Sequence, residues 1–214
     1  MAETLRQYSD FNGAQDFQIS RLNPYDADNY ARPIQALLYT SWLKRFTDEA
    51  LIPLTDAEKL KQHFNPNDPN FILEQKANIS SSSPESSYYV AELANPREDD
   101  LAIFGLAKVV SRRQIIVYDI DVHPTFQRKG IGSALLDVAL EKFSQRSQVS
   151  LNTYGENRQA KKWYEIIGFR QVATGAPTFA HGFNKPITPV RYEAQIRRVR
   201  RRLKARQPAI ANYQ

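Results

Sequence analysis

One stretch constrains this chain more than any other: from Ile115 to Phe143 the hydrophobic period changes once, and the change falls on two glycines. Ile115 to Val122 (IIVYDIDV) is an apolar run of strand length, interrupted by Tyr118, Asp119 and Asp121. After Gln127-Arg128-Lys129-Gly130-Ile131-Gly132, residues Leu136, Ala139, Leu140 and Phe143 recur at three- and four-residue spacings and make one face of a helix. A turn of this kind gathers the first N–H groups of the helix, which lack intrahelical partners, at the positive end of the helix dipole. Such a point receives phosphate. Arg128 and Lys129 add charge at its rim, the arginine being able to grip phosphate oxygens in two places. A dinucleotide fingerprint would need a third glycine where Leu135 stands, and a P-loop would need Gly-Lys-Ser or Gly-Lys-Thr, so neither fits. Taken alone, a Gly-x-Gly turn between strand and helix is more often structural, and the rest of the chain has to decide.

A chain of 214 residues has the length of one domain with tails. No apolar run approaches the roughly 18 residues that span a bilayer, and Met1 to Asp10 has no apolar core of a secretory signal, so no membrane association is expected and the cytoplasm is the default compartment. There are no cysteines, which removes disulfides, thiolate metal sites and a cysteine nucleophile. The net charge of +6 is concentrated in Arg197 to Arg206 (RRVRRRLKAR), which holds seven cations; the remainder carries 22 cations against 23 anions and is nearly neutral.

The periodicities predict an α/β fold with a mixed, mostly antiparallel central sheet. Residues 1–16 read as a flexible segment, 17–196 as a single domain and 197–214 as a basic tail. Strands are expected at Phe17 to Leu22, Tyr88 to Leu93, Ile103 to Val110, Ile115 to Val122, Val149 to Tyr154, Phe169 to Val172 and Val190 to Ile196. A helix is expected to start at Pro33 and to bury Ile34, Leu37, Leu38, Trp42 and Phe46. Thr55 and Glu58 make a capping box for a short helix that stops near Pro66, and Ser80 to Ser87 reads as a loop. Asn157 is placed to cap a helix with a stripe of Ala160, Trp163, Tyr164 and Ile167, and Gly168 stands where a left-handed residue ends it.

The run Val122-His123-Pro124-Thr125-Phe126-Gln127-Arg128-Lys129-Gly130-Ile131-Gly132 resembles the signature of the GNAT superfamily of acetyl-CoA-dependent N-acetyltransferases. Asn157-Arg158-Gln159-Ala160-Lys161-Lys162-Trp163-Tyr164-Glu165-Ile166-Ile167-Gly168-Phe169 is similar to the second element of that family, N-x-x-A-x-x-x-Y-x-x-x-G-F. The resemblance covers about residues 85–172 and implies a GNAT-type sheet with helices on both faces. It also implies that Gln127, Arg128, Lys129, Gly130, Ile131 and Gly132, with Ser133 at the helix start, hold the CoA diphosphate. The same resemblance implies that the main chain of Ile120 and Val122 lines the pantetheine arm and that Asn157 and Ala160 border the cofactor. It implies Tyr164 as the acid that protonates the departing thiolate. A phenol with a reference pKa of ~10 suits that task.

The implied activity is transfer of the acetyl group of acetyl-CoA to a primary amine, with a small amine or polyamine leading over a protein N-terminus or lysine. Without a cysteine, and without a Ser/His/Asp pattern, direct attack in a ternary complex is expected, with no metal. His63, His123 and His181 read as structural or solvent-facing. Asp119 is the leading candidate for the base, since carboxylates are unusual in so apolar a strand. Some polyamine acetyltransferases of the superfamily resemble this chain in having an acidic residue there, while others place a glutamate at the positions of Ile116 or Asn152, so the base stays open. Strand alternation puts Asp119 and Asp121 on one face and Tyr118 with Ile120 on the other. Thr174 to Pro189, with Phe179, His181 and Phe183, reads equally as a wall of the acceptor site or a surface loop. The basic tail reads as a solvated helix end. A rival class is a non-catalytic module that binds nucleic acid through that tail, though no aromatic residue interleaves the charges. The acceptor and the oligomeric state, a homodimer included, are left open.

Overall fold

The structure is a computed structural model that describes residues 2–8, 16–48, 65, 67–95, 103–179 and 185–206. The described strands are β1 (Glu3–Tyr8), β2 (Phe17–Arg21), β3 (Ser86–Leu93), β4 (Gly105–Val110), β5 (Ile115–Val122), β6 (Gln148–Tyr154), β7 (Arg170–Thr174) and β8 (Pro189–Gln195). They form one sheet in the order β1-β2-β3-β4-β5-β6-β8-β7. Every neighbouring pair is antiparallel except β5 and β6. This is the mixed, mostly antiparallel sheet anticipated from the sequence.

Two helices cover one face of the sheet. Helix α1 (Ala27–Asp48) and helix α2 (Pro69–Ser80) enclose a core of Leu22, Ala31, Ile34, Leu37, Ile79, Val90 and Leu106. Helix α1 begins earlier than the expected start at Pro33, because Pro24–Asp26 already turn once and the Asp26 carboxylate accepts from the Asn23 N–H at 2.7 Å. Pro33 therefore sits inside the helix. Helix α2 was not anticipated; Asp68 caps it by accepting from Asn70 N–H at 2.8 Å, and Pro69 occupies the first turn, where its missing N–H costs nothing. The expected loop after Ser80 shrinks to residues 81–85. The helix expected from Thr55 lies outside the described residues.

The other face carries α3 (Ile131–Glu141), α4 (Arg158–Ile167) and α5 (Ile196–Lys204) over a core that includes Phe104, Val117, Leu135, Leu136, Tyr192, Val199 and Leu203. Gly105 sets how closely α3 approaches: a Cβ there would lie 2.8 Å from Leu135 Cδ1.

Two segments assigned outside the folded body contain regular structure. Within residues 1–16, Glu3–Tyr8 pair with β2 and Tyr8 is fully buried. Within the basic stretch, α5 buries Ile196, Val199, Arg200 and Leu203 as a stripe. The cations masked this stripe in the sequence. One carboxylate joins both segments to α3: fully buried Asp137 receives Arg6 Nη1 at 3.1 Å and Arg200 Nε at 2.7 Å, and Glu141 pairs with the same two arginines.

Candidate active site

Strands β5 and β6 pair in parallel only over Ile115, Ile116 and Val117 against Val149, Ser150 and Leu151. Beyond that point β5 runs on to Val122 and β6 to Tyr154 without pairing, so the sheet opens between them. The β6 side of β5 from Tyr118 onward thus keeps backbone groups that need partners.

A bulge determines what faces this opening. Lys108 on β4 lies opposite Asp119, and the next residue, Val109, lies opposite Val117, which leaves Tyr118 as the extra residue. Val117 belongs to the core beneath α3, as do Ile120 and Val122 at its margin. Without the extra residue, alternation would send Asp119 and Asp121 to the same side as Val117. With it they turn toward α1. Asp121, buried, accepts from Ser41 Oγ at 2.9 Å and pairs with Arg45 Nη2 at 2.6 Å. Asp119 and Asp121 do share a face, as alternation predicted, and Tyr118 is 54% exposed in the bulge.

The loop after β5 is shaped by two residues with positive φ, Arg128 at 66° and Gly130 at 83°. A left-handed residue alternating with its neighbours turns successive N–H groups into one concavity, and such a nest binds anions. Glycine adopts this conformation freely at 130; arginine at 128 adopts it at a cost, which places strain in this loop. Gln127 ties the loop back by donating Nε2–H to Val122 O at 3.0 Å. Ser133 is buried at the start of α3. Asn157 caps α4 as expected, its Oδ1 accepting from Ala160 N–H at 3.2 Å, and Gly168 ends that helix at φ 107°.

These parts surround a cavity of about 760 Å³. Every predicted cofactor-binding residue lines it: Ile120 and Val122 from β5, Gln127 to Ser133 from the loop, and Asn157 and Ala160 from α4. The sequence reading missed Ser41, Lys44 and Arg45 of α1, Arg158, Lys162, Trp163 and Ile166 of α4, and Arg206. Trp163, read as core, is half-buried and presents its ring beside Gly132, where an added Cβ would meet it at 3.8 Å. All charged lining residues are cations, contributed by α1, the loop, α4 and the end of α5. The cavity suits a polyanion, and the nest, the cations and the unpaired β5 edge fit the diphosphate and pantetheine of CoA.

Tyr164 and Asp119 are not among the lining residues, but both interact electrostatically with Arg45, which is one of them. Burial is the main cause that raises the pKa of the Tyr164 phenol; Arg45 opposes the rise, and Asp121 and Asp119 reinforce it. Tyr164 on α4 and Asp119 on β5 are thus close enough to interact electrostatically. Burial, followed by the neighbouring Asp121, pushes the Asp119 carboxyl up to about 6, against the pull of Lys108 and Arg45. His123 accepts from Thr125 N–H at 3.4 Å, and burial lowers its pKa, in keeping with a structural part. His63, His181 and Phe183 lie outside the described residues. Phe179 is 70% exposed, on a segment bridged to Ile187 through Thr178.

Residues 84–171 match the model of the acetyltransferase (GNAT) domain family. The matched span holds β3 to β6, the loop after β5, α3 and α4, which supply most of the cavity's lining. Among solved structures, PaiA N-acetyltransferase from Thermoplasma acidophilum in complex with coenzyme A is similar at 14% identity, covering 84% of this chain and 98% of that one, with a TM-score of 0.52. The ribosomal-protein-S18-alanine N-acetyltransferase from Escherichia coli is 18% identical over 57% of this chain and 76% of its own, with a TM-score of 0.47. The smu.2055 protein from Streptococcus mutans UA159 is 19% identical over 83% and 98%, with a TM-score of 0.49. Comparison with curated proteins gives no match.

Proposed function

We propose that this protein acetylates a small primary amine, with polyamines foremost, by direct attack in a ternary complex in which Asp119 is the base and Tyr164 the acid. Its setting would be the cytoplasm. The observation that carries this reading is that Asp119, on the stretch of β5 left unpaired by β6, is close enough to Tyr164 to raise its pKa. Bound acetyl-CoA would supply an acetyl thioester, held by the nest at Gln127 to Gly132 with Ser133, the β5 edge at Ile120 and Val122, and Asn157 and Ala160 of α4.

The chemistry asked of the protein is the movement of two protons and the polarisation of one carbonyl. An amine attacks only when neutral, so a base must remove the proton of its ammonium form. Asp119 fits this task because a carboxyl titrating at about 6 is ionised near neutral pH while being a stronger base than an ordinary aspartate. Free N–H groups on β5, fixed by pairing of its other edge with β4, can polarise a carbonyl without reorganising. Tyr164 keeps its proton at neutral pH and can yield it to a leaving thiolate. Arg45, opposing the two carboxylates at this point, limits how far the phenol is stabilised in its neutral form.

A polyamine is favoured because carboxylates recur along the face that Asp119 looks toward. Glu74 of α2, exposed, acts on Lys108 and Tyr88 together with Asp119, which places a second anion on the approach. A panel assay of CoA release with monoamines, diamines, polyamines, aminoglycosides, amino acids and peptides tests the reading. Turnover with di- and polyamines above the rest is expected; turnover restricted to peptides would overturn the small-amine assignment.

A further inference from the structure

Beyond its diphosphate, CoA carries a third phosphate as a monoester on its ribose. The cavity's lining includes cations that belong neither to the loop nor to α1. Lys162 and Ile166 are one helical turn apart on α4, both exposed, and both line the cavity. Arg206 lines the same cavity from beyond the end of α5.

The position of Arg206 is built rather than incidental. Arg202 donates from Nη1 to the carbonyls of Ile166 at 2.9 Å and Glu165 at 3.3 Å, which fastens α5 to the C-terminal end of α4. Arg206 in turn donates from Nη1 to Arg202 O at 3.4 Å. That leaves its other donors available. Among the described residues neither Lys162 nor Arg206 is engaged in an ion pair. The buried stripe of α5 and the Arg200–Asp137 pair hold this helix on the body of the domain, so the end that bears Arg206 starts from a fixed base. The family match ends at residue 171, and Arg206 is therefore supplied by a part of this chain outside it.

We infer that Arg206 and Lys162 form a clasp for the 3′-phosphate of CoA, with Ile166 between them as an apolar floor for the adenosine, and that the C-terminal helix thereby sets the preference for CoA over its 3′-dephospho form. The inference rests on the acetyl-CoA reading of the cavity. A phosphate monoester offers a dianion to two cations, and charge-assisted hydrogen bonds of this kind are among the stronger polar contacts.

The test is calorimetric binding of three probes, acetyl-CoA, acetyl-3′-dephospho-CoA and adenosine 3′,5′-bisphosphate, to the full chain and to the Arg206→Gln/Lys162→Gln double variant. Both substitutions lie at exposed positions, and circular dichroism with thermal melting checks that the variant is folded. The wild type is expected to bind acetyl-CoA roughly tenfold or more tighter than the dephospho form. The double variant should lose that advantage, binding both forms alike, with its affinity for the dephospho form within about twofold of wild type and its bisphosphate binding weakened in parallel. Arg206→Lys should restore part of the preference. Equal weakening toward both forms, or a preference that survives the double variant, would overturn the clasp while leaving the cofactor site standing. Binding of neither form by the wild type would overturn the cofactor assignment and the clasp together.

Discussion

Asp119 is held in a setting that costs stability and suits chemistry. The folded protein keeps this carboxyl protonated up to about pH 6, whereas the unfolded chain ionises it near ~3.9. A group whose pKa is raised by folding contributes stability that is complete below the unfolded value and is lost as pH rises through the folded one. Asp119→Asn should therefore be more stable than wild type by roughly 2 to 3 kcal/mol at about pH 8 and indistinguishable from it near pH 3.5, as read from urea melts at both values. The same variant should lose the limb of the pH profile in which wild-type kcat/KM climbs through about 6. A profile unchanged in shape would remove Asp119 as the base. Tyr164→Phe keeps the packing of a buried ring while deleting its proton. Its kcat should fall by roughly 10²-fold or more with the acetyl-CoA dissociation constant nearly unaltered, and unchanged turnover would show that another group protonates the leaving thiolate.

At the scale of elements, the loop between β5 and α3 and the tie between α3 and α5 do different work. Gly130→Asp places a carboxylate in the concavity of N–H groups, and acetyl-CoA binding is expected to disappear from calorimetry while the protein stays folded, its melting temperature lowered by roughly a few degrees for a side chain at positive φ; a preserved dissociation constant would refute the placement of the diphosphate. Asp137 is fully buried and holds Arg6 and Arg200. Removing it leaves Arg6 and the buried Arg200 with the half-exposed Glu141 in place of a fully buried partner, so Asp137→Ala should destabilise the protein by about 3 kcal/mol in denaturant titration. A change under 1 kcal/mol would show that β1 and α5 are held by apolar contacts instead. The loop was legible in the sequence because its function needs glycine at a fixed distance from a strand end. The tie was not, since nothing local relates Asp137 to arginines at positions 6 and 200.

Across the whole molecule, sequence reading succeeded where a single element carries both pattern and purpose and failed where meaning arises from apposition. The strand ending at Val122, the Asn157 cap and the Gly168 stop are local, and each appears where expected. Strand β1 was missed because an edge strand with one buried side chain at its end lacks the alternation that marks a half-buried strand. Helix α5 was read as a solvated helix end because five arginines and a lysine obscure the stripe of Ile196, Val199 and Leu203. Arg45 and Ser41 could not be assigned from sequence, since their part in the site follows from the bulge at Tyr118, which turns Asp121 toward α1. The account as a whole depends on one cavity, lined on its charged positions by cations alone, being the seat of acetyl-CoA. Calorimetric titration of the full chain with acetyl-CoA tests this most directly. A single site per chain with a dissociation constant on the order of micromolar is predicted, and the absence of heat at millimolar acetyl-CoA would contradict it.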